Sequence, residues 1–350
     1  MAVAKQLPQF RVTLNSRCGR ACFFCRPSGE AISTAAGTDI DVGDLIRVAT
    51  ALRQRGISSI KLTGGDPALY EPLEEAVSRL RNEAGYADIE LISRHPVIGE
   101  RAAALAEAGV TLFNMSVDTL VPELHKEICG VDDLSQVLKA LDQCAATSVP
   151  VKVNTVVMGG INDAEIPDLV AHCESRGIKQ LKLLDVIKDL DEGTESFARR
   201  LVIKRGSELR ELYAPLEEIA ERYRGLAVRS EVRRQGGLGH PMTVLTMPSG
   251  LEMVLKDSSA GAWYGSVCES CPLFPCHDAL MALRLTADLR LQFCLLREDN
   301  AVDLSGLMGL PEAGRLESAL DEALRVYGGA WFRAEPPAVH EPLPLVRGQQ

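Results

Sequence analysis

The stretch "FRVTLNSRCGRACFFC", residues 10–25, joins a short apolar pattern to a loop that carries three cysteines. Phe10 to Asn15 is typical of a buried strand, and Cys18, Cys22 and Cys25 follow it at C-x3-C-x2-C spacing. In an α/β barrel, the loop at the carboxyl end of a strand faces the active site. The stretch therefore predicts an α/β fold with a site at these three residues, which we call the first cysteine loop.

Five further strand patterns alternate with amphipathic helical patterns. The helical patterns end in glycine, which is a common stop signal. The strand patterns are Ser59 to Gly64, Ile89 to Ser93, Leu112 to Asp118, Val151 to Met158 and Leu181 to Ile187. Six strands separated by helices predict right-handed βαβ units and a parallel sheet. The pattern alone fits an open doubly wound sheet and a curved or closed barrel equally well.

The regular alternation ends after Gly193. A hairpin pattern around Pro248-Ser249-Gly250 and a cysteine-rich segment, Val267 to Cys294, come before a last helix near Glu312 to Val326. We expect this portion to be a smaller layer packed on the barrel. The expected division is a barrel over residues 1–200, a second region over 201–335, and a Pro-rich, poorly ordered tail over 336–350.

Composition narrows the class of protein. The formal net charge of −10 disfavours a nucleic-acid partner, because phosphate binding needs a basic surface. No apolar run suits a signal peptide or a membrane span, so we expect a cytoplasmic protein without a membrane partner. In that compartment ten cysteines favour metal ligands, reactive thiols or packing residues over disulfides. Cys129, Cys144 and Cys173 fall in helical patterns and are interpreted as packing residues.

Three thiols on one short loop suit an iron–sulfur cluster. Cysteine thiolates hold such clusters, and three of them would leave one iron of a 4Fe–4S cluster open to another ligand. Two alternatives are cysteines that only pack and a zinc site with a distant fourth ligand. Zinc sites favour paired C-x2-C units with a second pair further along the chain, which this loop lacks.

The loop resembles the signature of the radical S-adenosylmethionine (SAM) superfamily. Phe24 fits the aromatic residue that lies against the adenine of SAM in that family. The motif "TGGDP", with Gly64, Gly65 and Asp66, resembles the motif that holds the SAM amino group, although glutamate is commoner than Asp66. The resemblance implies that SAM fills the open iron. An electron then cleaves it to methionine and a 5′-deoxyadenosyl radical, which abstracts hydrogen from a substrate.

Several motifs, in order and spacing, resemble the GTP cyclase of molybdenum-cofactor biosynthesis. They are "RVTLNSRC", "LTGGDP", "NMSVDTL", "VKVNTVVMGGINDAEI" and "RLTADLRLQFCL", and the similarity extends to about Asp299. The resemblance implies a partial (β/α)6 TIM-type barrel followed by a C-terminal region with an auxiliary iron–sulfur cluster.

The same resemblance implies roles for polar residues at the strand ends. Ser93, Ser116, Asp118 and Asn154 would face SAM, and Lys152 and Asn154 lie on the fifth strand towards SAM or substrate. The alternative is ordinary, because serine and aspartate at strand ends are often cap or turn residues.

Cys268, Cys271, Cys276 and Cys294 form a C-x2-C-x4-C-x17-C array, which we call the second cysteine group. A structural zinc site is one interpretation. The resemblance favours a second 4Fe–4S cluster, which the cyclase holds on three cysteines with an open iron that binds the purine of GTP. A fourth cysteine would close that cluster, which would then tune its potential, relay electrons or hold the region together.

Substrate-facing motifs depart from the cyclase. Ala282 replaces the first of its paired arginines and only Arg284 remains, which weakens the case for a triphosphate. Ser93-Arg94-His95-Pro96 replaces "TTNG", Lys182-Leu183-Leu184-Asp185 replaces "RFIE", and the chain ends in "VRGQQ" rather than Gly-Gly. We therefore expect retained SAM chemistry on a changed substrate.

The candidate catalytic residues include several cations. Such a cluster suits a carboxylate or a monophosphate, although solvated ion pairs of little consequence are the alternative. His95 could act as an acid or base only with a pKa near the working pH. The candidates are Arg11, Arg94, His95, Lys152, Lys182 and Asp185.

Decarboxylation of cytosylglucuronic acid in nucleoside-antibiotic biosynthesis is the specific function that we predict. It is known among relatives of the cyclase, and its carboxylated nucleoside substrate suits the cations. Alternatives are the GTP cyclase itself, dehydration or epimerisation of a sugar or nucleotide, a peptide-modifying radical SAM maturase, and a non-catalytic iron–sulfur electron carrier. The maturase usually has a peptide-binding segment, for which the chain before Cys18 leaves no room, and a carrier would not need "TGGDP". Two 4Fe–4S clusters, SAM, and an electron donor such as flavodoxin or ferredoxin complete the expectation.

Overall fold

The structure is a computed structural model. It describes residues 7–25, 38–186, 209–234, 238–257, 260–272, 274–276, 280–295, 297, 300–308 and 314–334.

The strands alternate with helices through the first half of the chain and dominate the second half. The strands are β1 (Gln9–Thr13), β2 (Ser59–Thr63), β3 (Asp88–Ser93), β4 (Leu112–Ser116), β5 (Val151–Val156), β6 (Gln180–Leu184), β7 (Arg229–Arg234), β8 (Pro241–Thr246), β9 (Glu252–Lys256), β10 (Ala262–Tyr264), β11 (Ala282–Leu285), β12 (Arg290–Gln292), β13 (Ala301–Asp303) and β14 (Trp331–Arg333). The helices are α1 (Val42–Gln54), α2 (Leu73–Asn82), α3 (Val97–Ala108), α4 (Pro122–Cys129), α5 (Leu134–Ala145), α6 (Ile166–Ser175), α7 (Leu216–Arg224), α8 (Ser266–Glu269) and α9 (Arg315–Gly328).

One twelve-stranded sheet forms the centre of the molecule, in the order β13-β12-β11-β1-β2-β3-β4-β5-β6-β9-β8-β7. Every neighbouring pair from β11 to β9 is parallel. The two edges are antiparallel hairpins, and β10 pairs with β14 in a separate two-stranded sheet. The sheet curls into a partial barrel, which confirms the predicted fold class.

The six predicted strands are all present as β1 to β6, and the predicted hairpin is β8 and β9. The C-terminal portion differs from the expectation of a separate layer. Its strands β9 and β11 pair with β6 and β1 and so extend the barrel sheet at both edges. The expected boundary near residue 200 stays a prediction, and the tail over 336–350 lies outside the described residues.

The parallel strands bury an apolar face under the helices and a polar face inside the barrel. In β1, Phe10 and Val12 lie on the same face and are fully buried. Arg11 lies on the other face, in register with Lys61 and Arg284. Helix α1 begins at an N-cap, Asp41, whose side chain accepts a hydrogen bond from the backbone nitrogen of Asp44. In the described part of the chain, no helix has the length and apolarity that a membrane crossing requires.

Candidate active site at the strand ends

The first cysteine loop packs directly on the glycine motif that follows β2. Gly65 N donates to Asn15 O at 2.7 Å, and Asp66 N donates to Arg17 O at 2.6 Å. A Cβ atom added to Gly65 would lie 2.2 Å from Arg17 O, so that only glycine fits there. In this structure the close approach that glycine permits is to the cysteine loop, and it fixes where the loop leaves the sheet.

The other side of the loop is anchored to the end of α4. Ala21 N donates to Cys129 O at 2.8 Å. The Arg20 side chain is 2% exposed and pairs with Asp133 through two hydrogen bonds of 3.1 and 2.6 Å. Asp133 also contacts His125 Nε2 at 3.0 Å. A bidentate buried pair restricts the loop more than an exposed one would.

The three thiols of the loop differ in exposure. Cys18 and Cys22 are partly buried, and Cys25 is exposed. Burial, with Asp66 nearby, raises the pKa of Cys18 to about 11, and burial also raises the pKa of Cys22. Because iron binds the thiolate, loading this loop with a cluster would release protons. Three thiols on one short loop fit a 4Fe–4S cluster that keeps one iron for a further ligand.

Asp66 links the ends of β2 and β3. Its Oδ1 accepts hydrogen bonds from Ser93 Oγ at 2.6 Å and Ala68 N at 3.0 Å. Its Oδ2 accepts from the backbone nitrogens of Arg94 at 2.9 Å and His95 at 3.1 Å. Through these four hydrogen bonds, Asp66 and Ser93 hold the ends of β2 and β3 together. The contacts of Asp66 and Ser93 with SAM stay predictions.

Arg94 lies against the cysteine loop. Its guanidinium is 2.9 Å from Asp118 Oδ2 and 5.6 Å from the centre of the Phe24 ring. Burial opposes its charge, yet Cys22 and Asp118 hold the pKa of Arg94 above its ordinary value. The pairing brings together one predicted substrate residue and two predicted cofactor residues.

His95 is held by the loop after β3. Its Nδ1 accepts a hydrogen bond from Val97 N at 3.3 Å. Burial lowers the pKa of His95, although Asp66 opposes this shift. A neutral imidazole is therefore favoured at neutral pH.

Two predicted cofactor residues lie side by side on β4 and β5. Ser116 and Asn154 are register partners in the parallel ladder. Asn154 Oδ1 is buried and has no hydrogen-bond partner within the described ranges. A buried unpaired acceptor costs free energy, so that this atom suits contact with a bound ligand.

A layer of buried charges crosses the strands beneath these ends. Glu90 on β3 lies between Lys61 on β2, at 2.8 Å, and Lys152 on β5, at 2.5 Å. Asn114 Nδ2 donates to the same carboxylate at 2.6 Å. Burial raises the pKa of Glu90, but the two lysines outweigh it and the net shift is downwards. Burial lowers the pKa of Lys61 to about 8, although Glu90 opposes it.

Further cations extend the layer. Arg11 on β1 is the register partner of both Lys61 and Arg284, and Arg284 is fully buried. Lys182 on β6 is buried, and burial together with Lys61 and Lys152 lowers its pKa well below the ordinary value. Asp185 is buried just beyond the end of the same strand.

The predicted site residues do not include three polar members of this layer, which are Lys61, Glu90 and Asn114. Each is a polar residue flanked by apolar neighbours, in "IKL", "IEL" and "FNM". That pattern in a strand buried on both faces indicates a polar group inside the barrel, where it needs a partner. Lys152 and Lys182, which were predicted from the comparison with the cyclase motifs, show the same pattern in "VKV" and "LKL".

The second cysteine group is brought together although its members span 27 positions of sequence, from 268 to 294. All four cysteines line one cavity. Tyr264, Phe274, Leu280, Arg297 and Asn300 also line it. Four thiols around one cavity fit a second cluster, and zinc is another metal that binds four thiolates.

The remaining cysteines behave in two ways. Cys144 and Cys173 are fully buried, which agrees with the packing interpretation, and burial raises the pKa of each to about 12. Cys129 is buried but contacts His125 Nε2 at 3.2 Å. Burial opposes ionisation, yet the hydrogen bond with His125 lowers the pKa of Cys129. Packing alone is therefore an incomplete description of Cys129.

Ligand-type atoms of His125, Cys129 and Asp133 lie within 4.8 Å of one another. Such a set could hold a metal ion. However, the Arg20 fork already occupies both oxygens of Asp133. A cation would be opposed by that guanidinium, so that we interpret the set as a network that supports the cysteine loop.

A scan of protein-family models matches the chain over residues 12–173 to the radical SAM superfamily. Among curated proteins, the chain is 29% identical over 303 residues to a "Probable GTP 3′,8-cyclase" of Pyrococcus abyssi, covering 86% of this chain and 89% of that protein. It is 28% identical over 334 residues to a protein of the same name from Thermococcus kodakarensis, covering 95% and 97%.

Solved structures share the fold. The crystal structure of Streptococcus suis SuiB bound to precursor peptide SuiA superposes with a TM-score of 0.58 at 13% identity, covering 93% of this chain and 67% of that chain. Histidine-tagged anSMEcpe with bound AdoMet gives a TM-score of 0.53 at 13% identity, covering 89% and 79%. At this identity the similarity concerns the fold alone.

Proposed function

We propose that this chain, which carries a radical SAM domain over residues 12–173, is an enzyme that cleaves SAM and removes hydrogen from a small nucleoside-type substrate. The observation that carries the proposal is the contact between the first cysteine loop and the Gly65–Asp66 segment, where the carboxyl ends of the strands meet. That edge is where barrel enzymes place their active sites.

The residues of this edge divide into cofactor and substrate groups. Cys18, Cys22 and Cys25 would hold the first cluster, which when bound supplies the electron that cleaves SAM. Phe24 would cover the adenine, and the free acceptor of Asn154 would contact SAM or substrate. The second cysteine group would hold a second 4Fe–4S cluster, with a flavodoxin or ferredoxin as the expected electron donor.

GTP is the first candidate substrate. The curated relatives named as probable GTP 3′,8-cyclases cover most of this chain and are similar along most of their own length. The buried cations Lys152, Lys182, Arg11 and Arg284 suit an anionic substrate. The comparisons support this candidate better than the decarboxylation of cytosylglucuronic acid, for which they offer nothing.

A nucleoside or sugar with a single acidic group is the second candidate, and Glu90 favours it. Its carboxylate accepts hydrogen bonds from Lys61 and Lys152 and so neutralises part of the positive charge in the barrel. Ala282, which stands where the cyclase has an arginine, removes a further cation. Both features reduce the attraction for a triphosphate. Cytosylglucuronic acid belongs to this class.

Formation of 5′-deoxyadenosine by the anaerobically reconstituted full chain, with reductant and SAM, tests the proposal. Parallel reactions would contain GTP, cytosylglucuronic acid or no substrate. We expect SAM cleavage in all three and stimulation by one of the two compounds. Stimulation by GTP supports the cyclase, and stimulation by the uronic acid with release of CO2 supports the decarboxylase. No 5′-deoxyadenosine from protein that contains its clusters would contradict enzymatic SAM cleavage and favour an electron carrier.

A further inference from the structure

The cavity of the second cysteine group has a composition that distinguishes it from the strand-end site. Besides the four thiols, its lining includes the apolar side chains of Tyr264, Phe274 and Leu280 and one cation, Arg297. Cys276 and Cys294 are each only 9% exposed. Four thiolates carry more negative charge than one guanidinium compensates, so that in these partly apolar surroundings they need metal.

The position of Cys276 in this cavity is fixed by an independent contact. The Tyr264 hydroxyl donates to Cys276 O at 2.7 Å, and Tyr264 is 1% exposed. The Tyr264 and Phe274 rings are 4.9 Å apart in an edge-on arrangement. Residues 274–276, which include the additional cysteine, are therefore packed against the pocket wall, and Cys276 lines the cavity.

Asn300 adds a polar feature that points to the thiols. Its Nδ2 lies 3.4 Å from Cys294 Sγ, as a donor to sulfur. Its Oδ1 is buried without a hydrogen-bond partner among the residues that the structure describes. Hydrogen bonds to cluster sulfurs are a known means of tuning a cluster, because they stabilise negative charge.

From this arrangement we infer that Cys276 is the fourth ligand of the second cluster, which has a thiolate on every iron and no position for substrate. The inference rests on the proposed function in one respect, that the second cysteine group holds a 4Fe–4S cluster. It follows that the substrate is held by the barrel residues alone. The second cluster then transfers electrons or stabilises the region, with Asn300 as a donor to its ligand Cys294.

The test uses the full chain with Cys18, Cys22 and Cys25 replaced by alanine, so that only the second cluster is present. Iron and zinc are measured after anaerobic reconstitution, and the reduced cluster is examined by electron paramagnetic resonance with and without imidazole. Imidazole serves as the probe because it binds an open iron. In this background we expect about four irons per chain and g values that imidazole leaves unchanged.

Replacing Cys276 with alanine in the same background should open one iron. We expect the cluster to be retained on three thiolates and its g values to shift on addition of imidazole. Cys276→Ser, which keeps an oxygen ligand, should respond less. Cys173→Ala is the matched control, since Cys173 is a fully buried thiol remote from the group, and it should behave like the parent chain.

Three results would overturn the inference. The first is a shift of the g values of the parent chain on addition of imidazole, and the second is one zinc per chain in place of iron. The third is a Cys276→Ala variant with the iron content of the parent chain and g values that imidazole leaves unchanged. If Cys276→Ala binds no cluster, the response of the parent chain to imidazole still decides whether the second cluster has an open iron. None of these measurements depends on SAM cleavage, so that failure of the proposed function would be seen separately, as absent 5′-deoxyadenosine in the unmodified enzyme.

Discussion

The first cysteine loop and the second cysteine group offer the same type of side chain in different surroundings. The loop offers three thiols at the edge of the barrel, one of them exposed, among charged partners such as Arg94 and Asp133. The group offers four thiols in a cavity that is lined mainly by apolar side chains, together with Arg297. Under the proposed function, one chain would separate an open, reactive metal position from a closed one, because ligand number and burial differ while ligand type does not.

The largest effect that separates the two regions is expected from removing one thiol of each. Cys18→Ala should reduce 5′-deoxyadenosine formation to background, because the loop then lacks a ligand for the cluster that binds SAM. Cys271→Ala should lower SAM cleavage in the absence of substrate by no more than about tenfold, or about 1.4 kcal/mol in activation free energy. Iron content and 5′-deoxyadenosine are measured on both variants.

The two variants serve as controls for each other. Cys18→Ala leaves two thiolates in its loop and should lose about four irons, whereas Cys271→Ala leaves three thiolates and should keep both clusters. Equal loss of SAM cleavage in both would contradict the separation of roles. It would mean that a fully ligated second cluster is required for the electron to reach the first.

A smaller effect should separate the two ion pairs that anchor the cysteine loop. Arg20 pairs with Asp133 in a buried setting, whereas the Arg17–Asp39 pair is 41% and 33% exposed. Arg20→Ala should lower the free energy of unfolding by about 3 kcal/mol, the lower end for a broken buried pair, because the carboxylate of Asp133 then keeps only its contact with His125. Arg17→Ala should cost about 0–1 kcal/mol.

Urea unfolding of the metal-free chains measures this difference, with Arg17→Ala as the matched control. The double variant Arg20→Ala with Asp133→Ala should recover part of the loss, since no uncompensated charge remains. Equal destabilisation by the two single variants would show that the Arg20 pair does not support the loop, and the anchoring would then lie in the backbone hydrogen bonds of Ala21.

The strands of the barrel and the first cysteine loop could be predicted from the sequence. Runs such as "VKVNTVVM" have the length and β-branched content of buried strands, and glycine stops separate them from the helices. The first cysteine loop was found because its three thiols lie within eight residues of one another, from Cys18 to Cys25. Local patterns of this kind carry their information over short distances along the chain.

What the sequence could not predict depends on contacts between distant segments. Strand β11 has four residues, and it becomes part of the barrel only by pairing with β1, far away in sequence. Arg20 and Asp133 are likewise separated by 113 positions. No local period marks such pairs, and a charged residue near a helix start is usually a solvated one. The three-dimensional register was needed to identify them.

The smallest effect concerns the enclosed character of the second cysteine group. Tyr264→Phe removes the hydroxyl that donates to Cys276 O at 2.7 Å. Loss of a buried hydrogen bond should lower the free energy of unfolding by about 1 kcal/mol. Because the bond positions the segment that carries Cys276, we also expect faster loss of iron from the second cluster to a chelator. Thermal unfolding and iron release are measured in the chain in which the three cysteines of the first cysteine loop are replaced by alanine.

Tyr86→Phe is the control, since the Tyr86 hydroxyl is equally buried and donates to Ala49 O at 3.0 Å, remote from the second cysteine group. Both variants should lose similar stability, but only Tyr264→Phe should release iron faster. If the two variants release iron at the same rate, the wall formed by Tyr264 does not hold the cluster ligands in place. Enclosure would then be a consequence of ligation by the four thiols, and the cavity would owe its shape to the metal rather than to the aromatic residues around it.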